Sequence, residues 1–304
     1  MREIIQPGAY AYSFDRSRTP ICTVDSGETV CILTQDAFGD QLNREDLRPA
    51  DLSGYINPVT GPIRVEGAQP GDCLKISILD IAPTRDWGVS ALAQHFGGLV
   101  GTASTPMLHP PLEERTWIYR RQEDGTYRCS DRLYAPWRPF IGTIATAQQW
   151  ESPSSVAPGS MGGNMDVKDT APGNVLYLPV YTEGAYLYVG DCHAAQGDGE
   201  LCGVALEISA RVTLKLEVLK NKKILWPRIE SPLEIMTVGS AKPMEDAARI
   251  AYQQLIAWMS EEYQWDPIEA YQILSLRGKM YVGNMVDTYY SMVAKIEKAL
   301  LSPP

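Results

Sequence analysis

The sequence predicts a mainly β protein with a C-terminal α-helical segment, α+β overall. Up to about residue 235, apolar and polar residues alternate in short runs separated by glycine and proline turns, and after residue 240 apolar residues recur at helical spacing. The 304 residues are 44% hydrophobic and 21% charged, which is enough for a sizeable core. We therefore expect one domain over 1–304, in which a β-rich portion, 1–235, and a helical tail, 240–304, share that core.

Alternating or β-branched patterns predict strands in five segments, 22–38, 61–83, 116–129, 174–191 and 203–230. Turn residues divide several of them. Pro70-Gly71 separates two short strands, and Asp124-Gly125 is a strong hairpin signal. Another turn is expected near Asn221-Lys222. Segment 174–191 is either a strand pair or one bent strand.

The helical tail is predicted to hold three helices. In the first, over 241–263, Ala248, Tyr252, Leu255 and Met259 share one face, with acidic residues near its start. The second begins at Asp266-Pro267 and ends at Gly278. The third is expected over 286–301, with the sequence VDTYYSMVAKIEKALL.

The amino-acid composition limits the classes of binding partner and the cellular location that we expect. The formal net charge of −10 disfavours nucleic acid and anionic membranes. No apolar run reaches the roughly 18–20 residues of a membrane span, and no signal-peptide core is evident at the start. The six cysteines show no CxxC spacing and indicate free thiols of a reducing compartment, so we expect a cytoplasmic protein. No dinucleotide or P-loop signature occurs.

The segment GDCHAAQGDGE, 190–200, is the strongest candidate site, because carboxylates and an imidazole directly follow an apolar run. If the strand continues, Asp191 and His193 leave the same face and offer an oxygen and a nitrogen to one divalent metal. Cys192 would point the other way and pack rather than attack. The plain alternative is a Gly-Asp turn beside a packed histidine.

At this point the chain resembles the acetamidase/formamidase family. The resemblance rests on segments in one order: 57–81, PFIGTIATA (139–147), GGNMDVKD (162–169), 176–200 and GVALE (203–207). GGNMD together with GDxHAxQGDGE is its most specific part. It implies a β-sandwich, jelly-roll-like, with appended helices. It also implies a cytoplasmic homo-oligomer, a dimer or higher, that binds divalent metal, with zinc expected first and calcium as an alternative. The implied reaction is hydrolysis of formamide- or acetamide-type amides to carboxylate and ammonia.

Residue roles follow from the motif and the resemblance together. We expect metal ligation by Asp191, His193 and Asp36; catalysis by Glu200, Asp166 and Gln196; substrate binding by Asn164 and His95; and support of His193 by Asp198. Asp36 is included because it matches an early acidic position of the family.

Several of these roles have open alternatives. Glu200 is the first choice of general base, with Asp166 as the alternative base or a further ligand. Gln196 would hydrogen-bond substrate or orient a ligand. His95 would line the pocket mouth, although a plain loop position is favoured, and His109 is expected at the surface.

Two other functions stay open. The same chemistry could act on a bulkier amide or lactam, since Trp87, Trp117 and Trp137 could furnish an apolar pocket. Segments 119–139 and 277–287 depart from the family pattern, which leaves substrate size open. A non-catalytic β-sandwich that binds a small ligand or structural calcium is the other alternative, and the imidazole argues against it because calcium prefers oxygen ligands.

Overall fold

The computed structural model of the protein describes residues 5–100 and 112–301. Within these ranges two α-helices form, α1 (Met244–Tyr263) and α2 (Pro267–Arg277), with short 3-10 helices at Pro49–Asp51 and Lys298–Leu300. The strands described there are β1 (Cys22–Val24), β2 (Thr29–Thr34), β3 (Val59–Val65), β4 (Cys73–Pro83), β5 (Trp87–Leu92), β6 (Arg115–Arg121), β7 (Tyr127–Arg128), β8 (Tyr134–Ala135), β9 (Phe140–Thr146), β10 (Pro158–Gly159), β11 (Gly162–Asn164), β12 (Val175–Pro179), β13 (Leu187–Ala195), β14 (Leu206–Ile208), β15 (Ala210–Leu219), β16 (Arg228–Glu230), β17 (Glu234–Ala241), β18 (Lys279–Asn284) and β19 (Tyr290–Glu297).

The strands form two sheets. One has the order β18-β19-β17-β16-β12-β4-β15-β2. The other has the order β10-β11-β9-β13-β14-β5-β6-β7-β8, and β3 joins it by pairing with β13 and with β1. The pairing is antiparallel apart from the parallel pair β1–β3. Buried side chains from both sheets form one hydrophobic cluster, for example Ile76 and Leu214 of one sheet with Ile141 and Ile208 of the other. This confirms the predicted mainly β sandwich with a C-terminal helical segment.

Strand β17 shows how the helices attach. Successive side chains of a strand point to opposite faces. Met236 and Val238 accordingly lie in the cluster between the sheets, whereas Ile235 lies in a second cluster with Leu255 and Trp258 of α1. The helices therefore cover the outer face of this sheet. Neither helix of the described residues is long and apolar enough to cross a membrane.

The prediction of a third helix over 286–301 is wrong. Tyr290–Glu297 forms β19, which pairs with β17 along its full length and with β18. Both faces of this strand are buried, because Val293 packs between the sheets while Ala294 and Ile296 pack under the helices. With apolar residues on both faces, the strand lacks the alternation that would have distinguished it from a helix.

Several pairs of strands that follow one another in the sequence belong to different sheets. β3 and β4, on either side of the Pro70-Gly71 turn, belong to opposite sheets, and so do β12 and β13. Segment 174–191 is therefore two separate strands rather than a hairpin. The Asp124-Gly125 turn does join the paired strands β6 and β7, as predicted. The loop after β18 meets the segment that follows β13, where Met285 N donates to the carbonyl oxygen of Gly199 at 3.1 Å.

Candidate functional site

Strand β13 carries the centre of the site. It runs through Asp191 and His193, and the register with β14 places His193 opposite Glu207. On the other side lies β9, where a Cβ atom at Gly142 would be 2.7 Å from both Asp166 Oδ1 and Asp191 Oδ2. Only glycine at this position lets the two carboxylates approach the backbone so closely. Gly142 belongs to the segment 139–147, which carries part of the family resemblance.

The three facing side chains are almost completely buried. Asp191 is 3% exposed, and His193 and Glu207 are 1% exposed. His193 Nε2 lies 3.4 Å from Asp191 Oδ1 and 3.2 Å from Glu207 Oε2. The imidazole also packs edge-on against the ring of Phe140, with 4.9 Å between ring centroids. Asp191 and His193 thus converge, as a common strand face requires.

Gln196 determines which nitrogen of His193 is available. Its Nε2 donates to the backbone carbonyls of Asp166, at 3.1 Å, and Gly283, at 2.9 Å. These bonds direct its Oε1 toward His193 Nδ1, 2.9 Å away. Because an amide oxygen only accepts, Nδ1 carries the proton. In the neutral ring, Nε2 then carries the free lone pair, and this lone pair faces the carboxylates.

A second group of polar residues joins the site from β11 and from the loop after β18. Asn164 Nδ2 donates to Asp287 Oδ2 at 2.7 Å, and Asn164 Oδ1 accepts from Thr143. Thr143 Oγ1 also lies 3.1 Å from Asp191 Oδ2. Asn284 Nδ2 donates to Asp166 Oδ2 at 2.6 Å and also to Asp287. Both polar atoms of the Asn164 amide are therefore engaged within the protein.

Three site residues adopt a left-handed backbone. The φ angles are 51° at Asp166, 54° at Asp191 and 52° at Glu200. This conformation is unfavourable for side chains other than glycine and short polar ones. Strained residues of this kind cluster at functional sites because the surrounding structure holds them there. The surrounding structure therefore holds three acidic residues of the site in a backbone conformation that few residues adopt.

Burial of this many acids has electrostatic consequences. Burial, and then the charge of Asp191, raise the pKa of Asp166 to about 7. Burial raises the pKa of Glu207 to about 8, and it raises the pKa of Glu200 well above the usual range, with the charge of Asp166 adding to the effect. Asp287 behaves in the same way, since burial and Asp166 raise its pKa. These acids resist ionisation together because they repel one another in a medium that solvates charge poorly.

The pKa values of His193 and Asp191 shift in the direction opposite to the one that burial alone would cause. Although burial opposes it, the charges of Glu207 and Asp191 raise the pKa of His193 well above its usual value. Despite its burial, Asp191 has a lowered pKa because His193 stabilises its charge. The positive charge of His193 lowers the pKa of Asp166, Glu200 and Glu207, against the effect of their burial. A single imidazolium cannot balance this negative cluster.

The donor atoms fit a divalent cation. His193 Nε2, Glu207 Oε2 and Asp166 Oδ1 are buried and lack a well-aligned hydrogen bond. Among the described residues, two groups bring ligating atoms within 4.8 Å of one another, and both include His193. One adds Asp166 and Asp191, and the other adds Glu200 and Glu207. Buried polar atoms without partners are rare, and a bound cation would satisfy these. An imidazole with carboxylates suits zinc, manganese or iron better than calcium.

A cavity of about 300 Å³ opens onto this cluster. At one end it is lined by Asn164, Asp191, Glu200, Glu207 and Asp287. The rest of its wall is mostly apolar. Concave pockets with a few convergent polar groups are the usual form of small-molecule sites.

The structure places several predicted residues elsewhere. Asp36 is fully buried, but its Oδ2 pairs with Arg85 and its Oδ1 accepts from the backbone of Phe38 and Asp40, each at 2.9 Å. It belongs to neither ligating group found in the described chain. The expectation that Asp36 is a metal ligand is corrected on this ground, because its oxygens already hold a guanidinium and a turn.

Two further expectations also change. Asp198 is exposed and pairs with Lys168, so Gln196 rather than Asp198 supports His193. His95 is an exposed loop residue with a φ of 60°, and the residues that line the cavity include Phe96 but not His95. His109 lies outside the described residues. Cys192 packs in the core as expected, with its Sγ 3.7 Å from Thr34 Oγ1, and burial raises the pKa of its thiol to about 12.

Sequence reasoning missed four residues of the site: Glu207, Asp287, Asn284 and Thr143. A signal existed for the first, because Glu207 is the one acid within the apolar strand GVALEI. The others carry no local signal, since their role depends on the loop after β18 meeting β9 and β13. Buried acids in apolar strands are therefore the feature to look for.

Known proteins resemble this chain in sequence and in fold. The model of the Acetamidase/Formamidase family matches residues 15–294. A putative formamidase from Schizosaccharomyces pombe is 30% identical over an alignment of 254 residues, and the match covers 66% of this chain and 61% of that protein. The chain thus spans less than two thirds of the length of that curated relative.

Solved structures match more completely. An acetamidase from Yersinia enterocolitica superimposes with a TM-score of 0.94 at 39% identity, covering 97% of this chain and 90% of that one. An acetamidase from Bacillus halodurans gives a TM-score of 0.90 at 33% identity, covering 98% of each chain. The fold and the sequence similarity therefore extend over nearly the whole chain.

Proposed function

Because the chain belongs to the acetamidase/formamidase family, we propose that it hydrolyses a short aliphatic amide to the carboxylate and ammonia, with a divalent cation bound beside His193. The observation that carries this proposal is that His193 belongs to two groups of ligating atoms, one with Asp166 and Asp191 and the other with Glu200 and Glu207. His193 Nε2, Glu207 Oε2 and Asp166 Oδ1 are buried without a well-aligned hydrogen bond, and Asp191, Glu200 and Glu207 line one end of an apolar cavity. The names of the relatives support the amide as substrate.

The proposed ligands are His193, Asp191, Asp166 and Glu207, with zinc as the expected ion and calcium as the alternative. When bound, such an ion would polarise the amide carbonyl and lower the pKa of a water molecule. Gln196 holds the imidazole so that Nε2 is the ligating nitrogen. Thr143 and Asn284 hold the carboxylates of Asp191 and Asp166 by hydrogen bonds.

Glu200 is the proposed general base. It lines the cavity, is 7% exposed, and has a raised pKa because of its burial. A carboxylate with a raised pKa is a stronger base than an ordinary one, so it can take a proton from water and return it to the leaving nitrogen. Asp166, with a pKa of about 7, is the alternative base. Asn164, whose amide is engaged by Thr143 and Asp287, would hold the cavity wall that faces the substrate.

The proposal extends to the setting of the enzyme. We propose a cytoplasmic homo-oligomer whose partner is a small uncharged amide and that does not bind nucleic acid. The net charge of −10 supports the last point, and the lack of CxxC spacing among the six cysteines supports a reducing compartment.

The test is ammonia release from formamide, acetamide and propionamide, with metal content measured before and after chelation. We expect release that stops on chelation and returns with one metal. Stoichiometric metal with no release from any amide would favour a binding role, and release that chelation does not affect would remove the cation from the mechanism.

A further inference from the structure

The cavity beside the metal-ligating cluster is larger and more apolar than a formamide or acetamide site needs. Its volume is about 300 Å³, which corresponds to roughly ten water molecules at about 30 Å³ each. Pockets of this size lie at the lower end of those that hold whole organic ligands. Acetamide, with one methyl group beyond its amide, would fill a small part of it.

The wall opposite the carboxylates is built from hydrocarbon side chains. Phe38 and Val204 form a firm base, since they are 5% and 8% exposed and pack in one hydrophobic cluster. Leu52 packs against the same cluster, and Phe96 and Ile56 complete the wall. Ile56 is 43% exposed, so the apolar surface extends outward to the rim. Burying an apolar group of a ligand against such a surface lowers the free energy of the complex.

The negative charges that line the cavity disfavour substrates that carry a carboxylate of their own. The described residues that line it include Asp191, Glu200, Glu207 and Asp287, and they include no lysine or arginine. A ligand that carries its own carboxylate would enter this negative cavity without a cation to pair with its distal charge.

We propose that the site prefers uncharged primary amides with an apolar acyl chain longer than acetyl, and that Leu52 and Val204 set the accepted length. This inference rests on the amide hydrolysis proposed above and specifies its substrate class. The acyl chain lies along Phe38, Leu52 and Val204, while the amide group faces Glu200 and the ligating carboxylates. A carboxylate at the far end of the chain is rejected.

The experiment measures kcat/KM for acetamide, butanamide, hexanamide and 6-amino-6-oxohexanoate on the metal-loaded protein. Each added methylene is expected to raise kcat/KM about fourfold until the cavity is full. The last compound matches hexanamide in length but ends in a carboxylate, and it is expected to be at least tenfold poorer than hexanamide. A kcat/KM that is flat or falls from acetamide to hexanamide overturns the inference, and so does equal use of the charged compound.

Two variants test whether Leu52 determines the accepted length of the acyl chain. Leu52→Trp fills the cavity and is expected to lower the ratio of hexanamide to acetamide kcat/KM at least fivefold. Leu79→Trp makes the same change at an exposed position of β4 that does not line the cavity, and its ratio should equal that of the wild type. An unchanged ratio in Leu52→Trp would contradict the assignment of this residue.

Calorimetric binding separates this inference from the proposed function. If no amide is hydrolysed, the hydrolytic proposal fails, while the cavity still has a measurable preference. Tighter binding of hexanamide than of acetamide to the metal-loaded protein then supports the apolar acyl site. Equal binding of the two, or binding of neither, overturns it.

Discussion

Glu207 lies opposite His193 on the neighbouring strand, and its Oε2 atom is 3.2 Å from His193 Nε2. Both side chains are buried, and Glu207 Oε2 has no well-aligned hydrogen bond. This strand-to-strand pair fixes the distance between the nitrogen and the oxygen that we assign to one cation. Because both residues belong to sheet strands rather than to loops, the pair is held rigidly.

Glu207→Gln tests this pair. The amide has nearly the same shape but no charge, so metal affinity is expected to fall at least tenfold. The melting temperature of the chelated protein is expected to stay the same or rise, because one of several repelling carboxylates is gone. Metal content by atomic spectroscopy and thermal unfolding check the two parts. A variant purified with wild-type metal affinity would show that Glu207 is not a ligand.

Gln196→Met tests the orientation of the imidazole. Methionine keeps the length of the side chain but removes the acceptor for His193 Nδ1 and both donors to backbone carbonyls. Loss of such a supporting partner typically weakens metal binding about 10- to 100-fold. Gln148→Met is the matched control, since Gln148 Nε2 contacts only Met161 Sδ, at 3.4 Å, among its hydrogen-bond partners in the described chain. Equal metal affinities in the two variants would contradict the assigned role.

Glu200→Gln separates proton transfer from metal binding. We expect bound metal to be retained through the remaining ligands and kcat to fall about 100-fold or more, since the amide cannot take a proton from water. Glu183→Gln changes an exposed glutamate that pairs with Arg64 and serves as the control. Near wild-type kcat would move the base to Asp166, for which Asp166→Asn is the corresponding variant. Loss of metal instead would make Glu200 a ligand.

The stability of the chelated protein should depend on pH more strongly than that of the metal-loaded protein. The folded pKa values of Asp166, at about 7, and Glu207, at about 8, lie above those of the unfolded chain, and the pKa of His193 is also raised. The contribution of these side chains to the stability of the folded protein is fully present below the pKa values of the unfolded chain, which are about 4 for the two acids and about 6.5 for histidine. It is lost as pH rises through the folded values. Asp191, with a lowered pKa, stays ionised.

The chelated protein is therefore expected to melt at lower temperature at pH 8.5 than at pH 6. If these groups are the ligands, as proposed, they have already lost their protons in the loaded protein, so this decline should disappear. Calorimetry in buffers of different ionisation enthalpy should detect proton release on metal binding at pH 7. A chelated protein whose melting temperature rises over this range would contradict the assigned shifts.

Asp36→Asn tests the corrected role of Asp36. The change removes the buried charge that pairs with Arg85 and is expected to lower the free energy of unfolding by about 1–3 kcal/mol. Metal content should be unchanged, because Asp36 lies in neither ligating group of the described chain. His193→Ala, in which metal should be lost, provides the reference. Metal loss in Asp36→Asn without loss of stability would restore the expectation from the sequence.

The parts predicted correctly are those whose signal is local. The alternation in β4 and β15 comes from strands with one face in the core, and the Asp124-Gly125 turn needs no tertiary contact. The spacing of Asp191 and His193 could be interpreted for the same reason, since both lie on one strand.

The remainder depended on contacts distant in sequence. β19 resembled a helix because both of its faces are buried. Asp36 was expected in the site because nothing in its own segment indicates Arg85 as its partner. Asp287 entered the site only through the position of the loop after β18, where it accepts from Asn164.

That last contact also bears on how the protein is made. Chains are synthesised from the N-terminus, and domains begin to fold as they emerge. A nascent chain that has reached β17 already contains His193, Glu200 and Glu207, but not Asn284 or Asp287. The cluster of acids would then exist without the two residues that hold Asn164 and Asp166. Completion of the C-terminal strands is thus the step in biosynthesis at which the proposed ligands acquire their final arrangement.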